Sequence, residues 1–208
     1  MEHIDNTIRN IIFDLGGVLI DLDINLTGKA FEALGMSQPT DENELLQRAK
    51  VYSGLETGEI SSDVFRNAIR AISKLSPSND KIDDAWNAML LDFPKERVEV
   101  LLRLGKKYRL FLLSNSNAIH HKAYTFKFRH DHGFEMSSLF EKAYYSFEMK
   151  MKKPSPDIFR KVLEENNLKA FKTLFIDDTI ENITAALALD FKVHHIANGE
   201  DISRLFSD

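Results

Sequence analysis

Four short apolar runs, each ending abruptly in polar residues, constrain this chain more than any other feature. Ile11-Ile-Phe leads into Asp14, Leu110-Phe-Leu-Leu into Ser114-Asn-Ser-Asn, Ala143-Tyr-Tyr into Ser146, and Leu174-Phe-Ile into Asp177-Asp178. A fifth run, Val193 to Ile196, follows. Continuous apolar runs without alternation are the pattern of strands buried on both faces, hence of a parallel sheet covered by helices. Helical patterns lie between the runs. Ser155-Pro156 reads as N-cap and first helical residue, with Ile158, Phe159, Val162 and Leu163 on one face. Thr179 is predicted to cap a helix through Ile183, Ala186 and Leu187. The alternation predicts a doubly wound α/β core, in which ligands bind beyond the carboxyl ends of the strands, where the polar clusters stand.

The stretch from about Asn25 to Asp92 breaks this rhythm. It carries helical patterns over Glu44 to Val51, Asp63 to Ile72 and Ile82 to Leu91, with breaks at Gly54 to Gly58 and at Ser76-Pro-Ser-Asn, and no buried strand. It reads as a helical insertion after the first strand, a cap or lid. A helix-favouring stretch from Pro94 to Lys106 leads back. The expected division is a discontinuous core of residues 1–22 and 94–208 with a cap over 23–93.

Composition then excludes whole classes of function. The 208 residues, 43% hydrophobic and 28% charged, suit a soluble globular protein of one or two domains. A net charge of −5 argues against nucleic acid as a partner, because displacing counterions needs a basic surface. Without cysteine there are no disulfides, no Cys-ligated zinc and no thiol chemistry. The opening Met1-Glu-His-Ile-Asp-Asn is polar and acidic where a signal peptide carries basic and then apolar residues. The run from Ile11 to Ile20 is broken by Asp14 and two glycines and is too short to span a bilayer. The expectation is a cytoplasmic protein with no membrane partner.

The strand ends carry the chemistry. Asp14, followed by Leu15-Gly16-Gly17, reads as a nucleophile or metal ligand, or as a turn-forming aspartate. Asp177-Asp178 offers hard carboxylates suited to Mg²⁺, or one of the two helps to cap the next helix. Ser114-Asn115 offers a hydroxyl and amides to an anion, or forms a polar turn. Lys153 can set its ammonium over a phosphate, whereas Lys150 and Lys152 read as a solvated basic face.

Taken together, Phe13-Asp14-Leu15-Gly16-Gly17-Val18-Leu19, Leu113-Ser114-Asn115, Lys153-Pro154 with Ile158-Phe159, and Phe175-Ile176-Asp177-Asp178 with Asn182 resemble the four motifs of the haloacid dehalogenase superfamily, in order and across essentially the whole chain. The insertion resembles that superfamily's C1 cap, and the first motif with Glu56-Thr-Gly-Glu-Ile-Ser looks most like the bacterial α-D-glucose-1-phosphate phosphatase group; the N-terminal phosphatase domain of soluble epoxide hydrolase looks like a more distant relative. The resemblance implies a Rossmann-like core and a Mg²⁺-dependent phosphatase acting on a small phosphorylated metabolite, a sugar phosphate above all. It implies Asp14 as nucleophile forming an aspartyl-phosphate. It further implies Mg²⁺ held by Asp14, the Gly16 carbonyl, Asp177 and Asp178, and phosphate oxygens held by Ser114, Asn115 and Lys153.

One position departs from the pattern. Most phosphatases of the superfamily carry a second Asp two residues after the nucleophile as general acid and base, a function worth about 10²–10⁴-fold; here that position is Gly16. Three explanations stand: a good leaving group such as an anomeric hydroxyl, replacement by a side chain such as Asp21, or a weak catalyst that mainly binds phosphorylated ligands. Dehalogenases also lack that Asp, but they need no metal and lack the paired aspartates; a phosphomutase is a weaker alternative still. His120, His121, His130, His132 and the pair His194-His195 match no familiar zinc spacing and read as packed or solvated. Tyr52, Glu56 and Trp86 in the insertion are candidates for substrate contact, although aromatic residues on helices are more often core.

Overall fold

The computed structural model describes residues 6–197 and 200–206. The opening residues 1–5, read above as polar and acidic, lie outside that range. Five parallel strands form one sheet: β1 (Asn10–Phe13), β2 (Arg109–Ser114), β3 (Lys142–Tyr145), β4 (Thr173–Asp177) and β5 (Lys192–His195), in the order β3-β2-β1-β4-β5. β1 lies at the centre, with Phe13 level with Leu112 on one side and Ile176 on the other. All five apolar runs are strands, and each gains a polar residue at one or both ends.

Alternate side chains of each strand point to opposite faces, and both faces are covered. Ile11, Phe13, Leu110, Leu112 and Ile176 pack with α5 (Lys95–Leu104), α6 (Ala118–His132) and α10 (Ile202–Leu205). Ile12, Phe111, Leu113 and Phe175 pack with α8 (Pro156–Glu165) and α9 (Ile180–Leu187) on the other side. Each such side chain, removed from water, contributes about 1.5–3 kcal/mol. A single-turn helix, α7 (Ser146–Met149), follows β3.

The insertion forms four helices, α1 (Ile24–Ala33), α2 (Glu42–Glu56), α3 (Ser62–Ile72) and α4 (Asn79–Asn87), around their own apolar cluster of Phe31, Leu55, Phe65, Ile69, Ile82 and Trp86. Four sequence expectations are corrected in detail. α1 and α6 went unread. α2 runs through Gly54, which lies against Ile60, so the break falls at Thr57-Gly58, where Gly58 has φ +62°. α4 stops at Asn87 rather than Leu91, because the chain there turns to pair with the segment after β1: Asp23 donates to the Met89 carbonyl and Leu91 to that of Asp21, both at 3.0 Å. Ser155 and Thr179 hold the N-cap positions of α8 and α9, but neither side chain makes a capping bond. No helix among the described residues is long and apolar enough to cross a membrane.

Candidate active site

Parallel pairing brings the ends of β1, β2 and β4 together, and with them the charged residues. The ladder continues one residue past β1, the Asp14 amide donating to the Ile176 carbonyl at 2.9 Å. The chain then folds back on itself, Gly17 donating to Ile20 and Leu19 and Ile20 to Leu15. Gly17 has φ +70°, and a Cβ there would stand 2.2 Å from Asp178 Oδ2. Only glycine lets this turn approach Asp178, just past β4, so closely.

Lys153 is the pivot. Its side chain is buried, and Nζ reaches Asp14 Oδ1 (2.8 Å), Asp177 Oδ2 (2.7 Å) and the Leu113 carbonyl (2.7 Å). Three acceptors take the three ammonium hydrogens. The Asn115 side chain fixes the lysine's backbone, donating to its carbonyl and accepting from its amide, both at 2.9 Å. Asp177 is fully buried and accepts further bonds from the Thr179 amide (2.8 Å) and the Asn182 side chain (2.9 Å). Ser114 is buried at the end of β2.

Charge at this cluster does not balance. Carboxylate oxygens of Asp14, Asp177 and Asp178 lie within 4.8 Å of one another, against one ammonium. Burial pushes the Asp14 carboxyl up to about 7; Lys153 opposes the rise and Asp177 adds to it. Burial, and then Asp177, also raise that of Asp178. Burial works against the Lys153 ammonium, yet Asp14 and Asp177 outweigh it and hold it above its ordinary value. Two buried carboxylates and an exposed third in such excess call for a cation, and an all-oxygen donor set suits a hard divalent one.

Asp14, Gly16, Ser114, Asn115, Lys153, Asp177 and Asp178 thus meet at one end of the sheet. Asp21 is otherwise engaged: its carboxylate pairs with Arg97 at 2.8 Å, and Arg97 reaches Asp201 as well. Lys150 is exposed, as expected of a solvated basic face, and Lys152 is half-buried, but both are also engaged. Lys150 donates to the Gly58 carbonyl (2.6 Å) and Lys152 pairs with Glu56 (3.0 Å), fastening the turn after α2 to the core. Tyr52 and Trp86 are packed residues, their rings stacked 5.2 Å apart. His120 stacks on Trp86 at 4.9 Å, and burial lowers its pKa to about 4. His130 pairs with Asp131 and His194 with Glu200, while His195 bonds the Asp178 carbonyl. Among the described residues no histidine joins a group able to hold a metal; the three aspartates form the one such group.

Sequence reasoning missed Ser116, Asn117 and Ser146. Ser146 Oγ accepts from the Ser116 amide (2.9 Å) and lies 2.6 Å from the Glu56 carbonyl, while Asn117 Oδ1 caps α6. The signal available was the polar run Ser114-Asn-Ser-Asn itself, whose last residue is a strong N-cap type.

Known proteins share this fold. The family model described as haloacid dehalogenase-like hydrolase matches residues 8–190. A D-ribitol-5-phosphate phosphatase from Bacteroides thetaiotaomicron is 28% identical over 93% of this chain and 94% of its own. The magnesium complex of a HAD family enzyme from the same organism is 37% identical, with a TM-score of 0.89 over 98% of this chain and 100% of that one. A complex of that wild-type enzyme with magnesium and inorganic phosphate superposes with a TM-score of 0.84 at 36% identity, over 96% of this chain and 100% of that one.

Proposed function

The chain belongs to the haloacid dehalogenase-like hydrolase family, and on that footing we propose that it is a Mg²⁺-dependent phosphatase of small phosphate monoesters, sugar or sugar-alcohol phosphates, working through an aspartyl-phosphate. One observation carries the reading: three carboxylates converge within 4.8 Å around a single buried ammonium, at the carboxyl end of a parallel sheet. Relatives named for magnesium, inorganic phosphate and a sugar-alcohol phosphate support it. Helices α1–α4, residues 23–93, act as the cap over a core of 1–22 and 94–208.

Asp14, the Gly16 carbonyl, Asp177 and Asp178 would hold the ion. When bound, Mg²⁺ offsets the negative charge that carboxylate and phosphate bring together. Ser114, the backbone amide of Asn115 and Lys153 hold phosphate oxygens, the ammonium exchanging one of its three present acceptors for a phosphate oxygen. A carboxylate oxygen of Asp14 attacks phosphorus in line, the ester P–O bond breaks, and the departing alkoxide oxygen takes a proton from solvent water. Water then attacks the same phosphorus, releasing inorganic phosphate and restoring Asp14. Lys153 spreads positive charge over Asp14 and Asp177, opposing the rise that burial imposes on the Asp14 carboxyl.

Gly16 gives the departing oxygen no proton donor, and Asp21 is held by Arg97. This favours esters whose leaving group departs with little protonation, such as sugar 1-phosphates. The relative named for D-ribitol 5-phosphate, an ester of a terminal hydroxyl, favours the opposite preference. Measuring kcat/KM for sugar 1-phosphates against 5- and 6-phosphates separates the two, and loss of turnover in EDTA with recovery in Mg²⁺ tests the metal. Turnover indifferent to EDTA would remove the magnesium-dependent mechanism.

A further inference from the structure

We propose that Ser146 and Asn117 are positioning residues that hold the four-helix layer in register with the Ser114-Asn115 loop, so that phosphate binding depends on contacts made from the helices. The inference rests on the phosphate-binding role given to that loop above. Ser116 and Asn117 follow Ser114 and Asn115 directly, and each shares one oxygen atom with the helical layer. The Ser116 amide donates to Ser146 Oγ at 2.9 Å, and the same hydroxyl is 2.6 Å from the Glu56 carbonyl at the end of α2. Asn117 Oδ1 accepts from the Ile119 and His120 amides at 3.1 and 3.0 Å, and from Trp86 Nε1 of α4 at 3.4 Å.

Burial makes these bonds consequential. Ser146, Ser116 and Asn117 are buried, so water does not replace a partner that moves away. Shifting the helices leaves polar groups of both loop and helix unpaired, a cost that exceeds the modest worth of the bond itself. His120 closes the side of the seam, its ring parallel to Trp86 within 11° and its Nδ1 2.8 Å from Asn87 Oδ1. The Lys152–Glu56 pair joins the same two layers, but it is about one-third exposed on each side and touches nothing between 114 and 117. Pairs of that kind contribute little. The helical layer is therefore attached in two ways, one through the phosphate loop and one beside it.

Calorimetric titration of the full chain with inorganic phosphate, at saturating Mg²⁺, separates them. Ser146→Ala and Trp86→Phe, neither of which alters Ser114, Asn115 or Lys153, are expected to weaken the phosphate Kd by about 5- to 30-fold. Ser146→Thr, which keeps the hydroxyl, recovers most of the loss. Lys152→Met changes Kd by less than about 3-fold. A merely structural role would lower the melting temperature and leave Kd, measured well below it, where it was. Folded Ser146→Ala and Trp86→Phe variants that bind phosphate as tightly as the natural chain would overturn the inference; if Ser146→Ala fails to fold, Trp86→Phe decides alone. A natural chain that binds no phosphate even with Mg²⁺ would remove the phosphate-loop reading, and the inference with it.

Discussion

The sheet and the helical layer solve the same problem, hiding apolar surface, in different ways. In the sheet, β1 is fully buried along its length and alternate residues serve two clusters, so every side chain's direction is set by backbone pairing. In the helical layer one cluster suffices, its middle filled by rings: Phe31, Tyr52 and Phe65 all lie against Trp86. Charge follows the same division. The sheet buries Lys153 among aspartates, whereas the helical layer keeps its main pair, Arg66–Asp83, partly in water. Strand ends fix charges to within a hydrogen bond of one another, and the helices provide a cover whose polar contacts are few and specific.

Breaking the buried pair should have the largest effect on stability. Lys153→Met leaves Asp14 and Asp177 without a counter-charge, and urea unfolding is expected to show a loss of about 3–5 kcal/mol. A loss below about 1 kcal/mol would place this ion pair with the exposed ones. At the seam between the regions, His120 gives a pH signature. Its folded pKa of about 4 lies below the unfolded value of 6.5, so the unfolded state binds more protons between them and stability falls as pH drops through that window. The total is at most about 3 kcal/mol, and His120→Phe should flatten the curve. Two glycines sharpen the comparison further. Gly17→Ala in the tight turn should cost about 1–3 kcal/mol, since a side chain at φ +70° would also strike Asp178. Gly28→Ala in α1 meets nothing within 4 Å and should stabilise by about 0.5–1 kcal/mol. Equal melting shifts at the two positions would contradict that contrast.

Legibility in the sequence follows the same divide. The central strands β1, β2 and β4 could be read because burial on both faces leaves uninterrupted apolar runs, while β3 and β5 at the edges are only partly buried; the residues just beyond the central runs, Asp14, Ser114 and Asp177, inherit their positions from parallel pairing. α1 and α6 escaped because their inward faces carry polar residues: Thr27 is buried and bonds the Trp86 carbonyl, and His120 and Tyr124 occupy buried positions of α6. The caps predicted at Ser155 and Thr179 fell in the right places but make no capping bonds, since the fixed φ of Pro156 starts α8 and the Thr179 hydroxyl donates instead to the Asp178 carboxylate. Asp21 pairing with Arg97, and Glu56 meeting Ser146, are contacts between residues about 75 to 90 positions apart, which no local pattern records. The finer likeness to glucose-1-phosphate phosphatases stays an expectation beside the relative named for D-ribitol 5-phosphate.

The central claim, that Asp14 performs phosphoryl transfer at a magnesium site, is tested most directly by inorganic phosphate release from sugar phosphates with Mg²⁺ present, comparing the natural chain with Asp14→Asn. The account predicts steady release by the natural chain and a fall of about 10³-fold or more in the variant, with its fold intact by circular dichroism. Equal rates from the two proteins would contradict it.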